Sequence, residues 1–460
     1  MAPDLDLQAI VDDSAADGSV VGASVAVLHD DAISTGATGV LNKRTGVEVT
    51  TDSVFQIGSI TKVWTATMIM QHVEAGAIDL DAPVTTYLPG WRVADPDVTE
   101  RVTVRHLLTH TSGIDGDHFL DTGRGDDCLE RYAASCATLG QTHALGETLS
   151  YCNTGYSLLG RMLELLDGAV WDAVLSQRLL VPLGLKQTMT LPEQALLHRA
   201  AVGHVGLPGT DPGRAPVWML QRSAGPAGLI CATATDVLTF AKLHLDGGTA
   251  GDGQRLLAAE SIAAMQQPQA EVPDPHALGA DQWGLGWFLL DWDGTRLYGH
   301  DGGTLGQSAL LRVLPDAGLA VCILVNGGRA PASFVRAVLD GVFAPLAGVG
   351  PPPKPSLPDV APVIDLDRFV GRYERLSCRI DVARSDRDPS ALTLTQTTTG
   401  ELAKLVERPP QVFDLAPIDG EGLFLASMPG LPEPITAVFY GNGDGAPRFV
   451  HLGARANPRT

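Results

Sequence analysis

Positive charge is scarce in this chain, and lysine is scarcer still. Acidic residues outnumber Lys and Arg by 53 to 32, which gives a formal net charge of −21. A protein of this charge repels phosphate backbones and anionic bilayers, so we expect neither a nucleic-acid partner nor a membrane-surface role. Only six of the 460 residues are lysines. A lysine among apolar residues therefore needs an explanation, because an unpaired buried charge is costly.

Long apolar runs, paired cysteines and repeats are also missing. Residues 1–10 contain neither a basic region nor an apolar region of signal-peptide type, and no run reaches transmembrane length. These features predict a cytoplasmic protein. The six cysteines lie in unrelated contexts without C-x-x-C spacing, which favours buried free thiols over disulfides or a zinc site. We predict no metal and no cofactor.

The most informative lysine is Lys62, which follows Ser59 by three residues in an otherwise uncharged segment. A serine hydroxyl attacks an acyl group only when a base lies within hydrogen-bond reach. Residues 59–72 are predicted to be helical, and positions i and i+3 share one face of a helix. Burial would also lower the pKa of Lys62 toward the range of a general base. Ser59 and Lys62 are thus the predicted nucleophile and base, although a bare S-x-x-K often marks only a solvated helix face.

Two later segments add polar groups of the kinds that an acylated serine needs. Tyr151-Cys-Asn153 offers a phenol that, as phenolate, can relay the serine proton, and an amide that can hold Lys62 and the acyl group. His300-Asp-Gly-Gly303 ends a strand-like segment. Glycines there let a substrate backbone approach closely and leave an N–H free to donate. Either motif alone occurs by chance, so only their order and context make the two motifs informative.

In that order the three motifs resemble the serine β-lactamase and penicillin-binding-protein superfamily, over roughly residues 6 to 345. Three other segments look similar to that family: 107–113, 225–229 with 232–236, and 283–287. The resemblance implies that Ser59 is the acylated nucleophile, that Lys62 and Tyr151 form the base system, and that His300 belongs to the catalytic set. It further implies that the backbone N–H groups of Ser59 and Gly303 form an oxyanion hole.

The third motif departs from the lysine-threonine-glycine of many β-lactamases and transpeptidases. His300 would be only partly charged at neutral pH, so a permanent cation for a β-lactam carboxylate is missing. Antibiotic hydrolysis is therefore disfavoured. Histidine at this position is found in the family's esterases, D-aminopeptidases and stand-alone peptide-releasing thioesterases.

Several further residues are candidates for substrate contact or support. Asn153 and Gly302 belong to the motifs and would contact the acyl group. Trp218 would wall the acyl pocket, with core packing as the alternative. Arg455 would orient a substrate end, with a solvated tail arginine as the alternative. His110, in the 107–113 segment, is predicted to be structural, closing a turn before the active-site loop.

The predicted fold is α/β, with an antiparallel sheet flanked by helices and a mostly helical second lobe, as in the β-lactamase/transpeptidase fold. The expected strands are 20–29, 33–40, 295–300, 307–314 and 319–326. A helix at 332–343 would close the sheet, and residues 59–245 would form the helical lobe. Residues 1–346 would form the catalytic domain and 347–365 a Pro-rich linker. Residues 366–460 alternate in short stretches broken by Gly, Pro and Asp, which predicts a small lipocalin-like β-barrel.

Length, motif spacing and the appended barrel are most similar to stand-alone penicillin-binding-protein-type thioesterases. That resemblance implies release and macrocyclisation of a nonribosomal peptide from its thioester, typically at a D-configured C-terminal residue. The expected partner is a peptidyl or other acyl thioester or ester, which a carrier protein can present. The alternatives are an esterase or D-aminopeptidase, an amide synthase that passes an acyl group from an ester to an amine, and a catalytically silent binding protein.

Overall fold

The structure is a computed structural model of the 460-residue chain. It describes residues 5–206, 210–386, 388, 391–405, 409–431, 433–441 and 445–460. Within them the strands are β1 Gly22–His29, β2 Ala32–Asn42, β3 Val47–Glu48, β4 Phe55–Gln56, β5 His204–Val205, β6 Gly213–Arg214, β7 Cys231–Ala232, β8 Ala270–Glu271, β9 Gln282–Trp283, β10 Phe288–Trp292, β11 Thr295–Gly303, β12 Ser308–Leu314, β13 Leu319–Val325, β14 Gly371–Arg375, β15 Cys378–Arg384, β16 Leu392–Thr398, β17 Gln411–Pro417, β18 Leu423–Ser427, β19 Ile435–Tyr440, β20 Phe449–Leu452 and β21 Arg455–Pro458.

The helices lie mainly between the first and last strands of the catalytic sheet. Over the same described residues they are α1 Leu7–Ser14, α2 Thr61–Glu74, α3 Pro96–Arg101, α4 Val104–Leu108, α5 Cys128–Ser135, α6 Asn153–Asp167, α7 Trp171–Leu175, α8 Pro192–Ala195, α9 Gly225–Gly228, α10 Ala234–Leu245, α11 Ala259–Met265, α12 Pro275–Leu278, α13 Ala332–Ala347 and α14 Gly400–Leu405.

The catalytic sheet is antiparallel and has the strand order β3-β2-β1-β13-β12-β11-β10-β9-β8. Its first strands come from the start of the chain, and β13 pairs with β1 in the register Val25↔Ile323. Alternate side chains point to opposite faces of a sheet. Val25 and Val27 accordingly pack in a core with helices α1 and α13, whereas Ala26 and Leu28 pack in the core of the helical lobe.

Helix α2 is the central element of the helical lobe. Its side chains from Thr61 to Met70 are buried, and α6, α7 and α9 pack against it. The indole of Trp64 stacks on Phe240 of α10 with ring centroids 3.9 Å apart. Burial on every side fixes α2 firmly, so the side chains at its beginning have well-defined positions. The antiparallel sheet with a helical lobe confirms the predicted fold class.

The C-terminal strands β14 to β21 form a second antiparallel sheet in sequential order. Strand β14 also contacts β21, and Tyr373 bridges to Arg459, so the sheet curls into a nearly closed barrel. A separate apolar core fills it, with Phe369, Phe424 and Phe439 in mutual edge contact. The barrel fits the predicted lipocalin-like module. Residues 348–365, before it, form neither helix nor strand.

All six cysteines are buried as free thiols. Over the described residues, the helices are too short or too polar to cross a bilayer.

Candidate active site

Ser59 lies on a 3₁₀ turn, Gly58–Ile60, that leads directly into α2. The turn leaves Ser59 partly exposed, while Lys62, one turn later, is fully buried. The Lys62 Nζ atom is 3.2 Å from Ser59 Oγ, 2.8 Å from Asn153 Oδ1 and 2.6 Å from the Ala227 carbonyl oxygen. The predicted nucleophile and base are therefore in contact.

The neighbours of Lys62 decide where its lone pair points. A neutral amine has two N–H groups and one lone pair. Asn153 Oδ1 and the Ala227 carbonyl oxygen are both acceptors, so they take the two N–H groups. The lone pair then faces the remaining neighbour, the Ser59 hydroxyl. This arrangement suits proton abstraction from Ser59.

The surroundings of Lys62 favour its neutral form. Burial lowers the pKa of Lys62 well below its usual value, because an ammonium loses hydration in the protein interior, and the nearby positive charge of Arg455 lowers it further. Asp117 opposes both effects without cancelling them. Lys62 can thus accept a proton at a pH where an exposed lysine is charged.

Tyr151 and Asn153 lie at the beginning of α6, on the other side of Lys62. The Lys62 Nζ atom is 4.7 Å from the centre of the Tyr151 ring. Burial raises the pKa of Tyr151 above its usual value, while the Ser59 hydroxyl and the Arg455 charge act in the opposite direction. The phenolate expected from the sequence does not fit this burial. The Ser59 hydroxyl and the Arg455 charge offset only part of the lost hydration, so burial favours the phenol form of Tyr151.

His300 is fully buried on β11. Its Nδ1 atom donates to the Asp301 carbonyl oxygen at 2.6 Å, and its ring packs on Phe288 with centroids 4.3 Å apart. Burial lowers the pKa of His300 well below its usual value, and the charge of Lys62 adds to this. Burial therefore favours the neutral imidazole over the partial charge expected from the sequence. The Tyr151 ring lies 6.4 Å away.

The glycines of β11 press against the turn that holds Ser59. A Cβ atom on Gly302 would lie 1.8 Å from the Ile57 carbonyl oxygen, and one on Gly58 would lie 2.5 Å from Gly303 N. Gly58 also has a φ of +53°, in the left-handed region that favours glycine. Only glycine permits this close approach of β11 to the Ser59 turn.

The barrel contributes charged groups that the sequence did not predict as a set. Asp117, between the catalytic lobes and the barrel, accepts from Arg455 Nε at 2.9 Å and from Arg375 Nη1 at 2.6 Å. Arg455 also lies 5.0 Å from the centre of the Tyr151 ring. It is therefore no solvated tail residue. Asp117 and Arg375 were missed, because the sequence carries no motif that links a loop aspartate to an arginine some 260 residues later.

His110 supports the loop that carries Tyr151. It has a φ of +60°, accepts a hydrogen bond from the Cys152 backbone N–H at 2.9 Å, and packs on Tyr151 with ring centroids 4.3 Å apart. Burial lowers the pKa of His110 well below its usual value, with help from the Lys62 charge. These contacts match the structural role predicted for it.

Trp218 is the one sequence-predicted residue that the structure places apart. Its indole N–H donates to the Ala201 carbonyl oxygen at 2.8 Å, and its ring joins a small cluster with Met189 and Cys231. None of its described contacts involves Ser59, Lys62 or Tyr151. Its nearest link to the site is Gln56, whose side-chain amide donates to the Trp218 carbonyl.

The described part of the chain contains no cluster of three His, Cys, Asp or Glu side chains with metal-binding geometry. The chemistry of the described groups is that of an activated serine. Lys62 contacts Ser59 and Asn153 and lies beside the Tyr151 ring.

Comparisons with known proteins agree with this geometry. Residues 7–340 match the Beta-lactamase family. A relative from Amycolatopsis lactamdurans, named penicillin-binding protein 4, is 51% identical over 363 residues, which cover 77% of this chain and 93% of that protein. The crystal structure of SurE has a TM-score of 0.78 at 31% identity and covers 99% of this chain and 98% of SurE.

Two other solved structures carry bound amino-acid ligands. A structure of SurE with D-Leu has a TM-score of 0.76 at 30% identity, over 99% of this chain and 98% of that one. The D-amino acid amidase from Ochrobactrum anthropi SV3, complexed with L-phenylalanine amide, has a TM-score of 0.59 at 26% identity, over 74% of this chain and 95% of its own. The SurE matches include the barrel, whereas the amidase match leaves about a quarter of this chain uncovered.

Proposed function

The chain belongs to the Beta-lactamase family of serine hydrolases and acyltransferases, and from this premise we propose that it transfers peptidyl groups through an acyl-enzyme on Ser59. In this proposal it releases a nonribosomal peptide from its thioester and closes it into a macrocycle. The observation that carries the acyl-enzyme step is the position of Lys62 Nζ, which contacts two acceptors and the Ser59 hydroxyl.

The proposed acylation begins when Ser59 Oγ attacks the thioester carbonyl as Lys62 takes its proton. The oxyanion is stabilised by the backbone N–H groups of Ser59 and Gly303. The C–S bond then breaks, and the thiolate leaves as a thiol with a proton that Tyr151 donates and Lys62 replaces. A phenol, rather than a phenolate, suits this role, and burial keeps Tyr151 in that form.

Release reverses the proton path with a new nucleophile. The free amine of the peptide attacks the acyl-enzyme carbonyl, loses its proton through Tyr151 and Lys62, and displaces Ser59, which recovers its hydrogen. The proposed acceptor is this amine rather than water, which would give the free acid.

We propose a D-configured residue at the acyl end. The support is the ligand or name of two neighbours, SurE with D-Leu and a D-amino acid amidase. Asn153 and Gly302 would contact the acyl group, and Arg455, a quarter exposed beside Tyr151, would meet a substrate end. A carrier protein is the proposed donor of the thioester.

A second candidate follows from the relative that is 51% identical and named penicillin-binding protein 4. In that case Ser59 would be acylated by penicillin or by D-residue peptides, and water would be the acceptor. Burial lowers the pKa of His300, and this counts against a charged imidazole that would bind a β-lactam carboxylate tightly.

The proposed function is tested by intact-protein mass spectrometry with a small peptidyl thioester that ends in a D-residue. One substrate carries a free N-terminal amine, and its matched control is N-acetylated. We expect an adduct on Ser59 with both substrates, and a cyclic product only with the free amine. Benzylpenicillin serves as a third reagent.

The outcomes separate the candidates. Free acid from both thioesters would contradict peptide cyclisation and favour the hydrolase. A lasting adduct with penicillin, together with slow reaction of the thioesters, would favour the second candidate. An enzyme that forms no adduct with any reagent would contradict both.

A further inference from the structure

Asp117 joins the barrel to the base through a chain of hydrogen bonds. Its Oδ1 atom accepts from Asn153 Nδ2 at 3.0 Å, and the other end of that amide, Asn153 Oδ1, accepts from Lys62 Nζ at 2.8 Å. Asp117 itself is 4% exposed. We propose that Asp117 is a positioning residue that fixes the orientation of the Asn153 amide and thereby directs the Lys62 lone pair at Ser59.

The Asp117 carboxylate fixes which end of the Asn153 amide faces it. Asp117 accepts hydrogen bonds and donates none, so the Asn153 end that faces it has to be the NH₂ group. The carbonyl end then faces Lys62. If the amide turned over, its NH₂ group would face Nζ and compete for the lone pair. The base would then lose its direction toward Ser59.

The barrel holds Asp117 in its acceptor form. Arg455 contacts both carboxylate oxygens, Nε to Oδ2 at 2.9 Å and Nη2 to Oδ1 at 3.1 Å, while Arg375 Nη1 contacts Oδ2 at 2.6 Å. Burial alone would raise the pKa of Asp117, but these two guanidinium groups hold it well below its usual value. The carboxylate therefore stays ionised across the working pH range.

The barrel turns that carry these arginines are themselves fixed. Arg375 Nε donates to Asn457 Oδ1 at 3.0 Å, and the Leu376 backbone N–H donates to Asp115 Oδ2 at 2.6 Å. The barrel therefore takes part in acylation through Asp117. This inference rests on the proposed Ser59 chemistry.

The test measures the rate at which a fluorophosphonate labels Ser59 in the full chain, by intact-protein mass spectrometry. In this reaction Ser59 Oγ bonds to phosphorus, fluoride leaves, and Lys62 takes the serine proton. We expect Asp117→Asn to slow labelling by about tenfold or more. The matched control is Glu147→Gln, which breaks another ion pair between catalytic domain and barrel, Glu147 with Arg448. It should label at the wild-type rate.

A double-mutant cycle separates positioning from general loosening. If Asp117 acts through Asn153, then Asp117→Asn should have no further effect on labelling in an Asn153→Ala protein, although it still lowers the unfolding temperature. A merely structural role would slow labelling by the same factor in both backgrounds. If Asp117→Asn fails to fold, Arg375→Gln tests the same chain from the barrel side.

Each result supports or overturns the inference. If the wild-type protein is labelled at Ser59 and the Asp117→Asn variant is labelled at the same rate, the inference about Asp117 is overturned and the proposed function stands. Absence of labelling in the wild-type protein would overturn both. Slower labelling of Asp117→Asn that disappears in the Asn153→Ala background would support it.

Discussion

The backbone N–H of Tyr151 donates a hydrogen bond of 2.9 Å to the carbonyl oxygen of Ala454, so a turn of the C-terminal barrel holds the loop that carries the phenol. Ala456 N adds a second contact, to Ser150 Oγ at 3.2 Å. Ala454 has a φ of +66°, which is uncommon for a residue with a Cβ. The barrel is thus built into the active site through its backbone as well as through Arg455.

Replacing Lys62 by methionine should slow acylation of Ser59 by about 10² or more, because the side chain keeps its bulk but loses the base. The matched control is Lys242→Met. Lys242 pairs with Asp31 and Asp246 on the surface, and surface ion pairs contribute little. Burst kinetics with a p-nitrophenyl ester measure both variants. A wild-type acylation rate in Lys62→Met would show that another group takes the serine proton.

Replacing Gly302 by alanine should destabilise the protein by about 1–3 kcal/mol and strongly slow acylation, because the new Cβ would meet the Ile57 carbonyl oxygen and push β11 away from the Ser59 turn. Thermal unfolding measures the first effect. Gly303→Ala is the control for stability, since no heavy atom lies within 4 Å of its Cβ. Equal unfolding temperatures for the two variants would mean that β11 does not press on the turn.

Replacing Arg455 by methionine should move the acid limb of the acylation rate to higher pH. Lys62 acts as a base only when neutral, so the rate falls as the pH drops below its pKa. Burial and the Arg455 charge both lower the pKa of Lys62. Removing that charge raises the pKa, and the fall then begins at a higher pH. Arg448→Met, another barrel arginine, is the control. An unchanged pH profile in Arg455→Met would rule out this charge effect.

Much of the fold followed from sequence patterns, because its determinants are local. Alternation of apolar residues predicted β1 and β2, and the Ser59 to Lys62 spacing on a helix predicted their contact. The protonation states did not follow. Whether Tyr151 is phenol or phenolate depends on complete burial by residues far away in the chain.

Contacts between the barrel and the catalytic domain could not be predicted from the sequence either. Asp117 and Arg375 meet only once the barrel has docked, and neither lies in a recognisable motif. Arg455 was singled out, but its partner was not. Trp218 was a candidate because it precedes the Gly225 turn, yet its ring packs in a cluster of its own, since side-chain direction depends on tertiary packing.

The leaving group should determine how much Tyr151 matters. If Tyr151 is a phenol that protonates the departing atom, Tyr151→Phe should cost on the order of 10² or more with an alkyl thioester or alkyl ester, whose leaving groups are basic. With a p-nitrophenyl ester the cost should be far smaller, because p-nitrophenolate departs without a proton. Stopped-flow acylation rates with matched acyl groups give the comparison.

The control variant is Tyr440→Phe, whose hydroxyl bonds Thr148 at 3.1 Å between the barrel and the catalytic domain, away from Ser59. It should acylate at the wild-type rate with every ester. An equal loss with both leaving groups in Tyr151→Phe would instead place Tyr151 in the removal of the Ser59 proton. That result would mean that neighbouring charges overcome burial and that Lys62 serves chiefly to stabilise a phenolate.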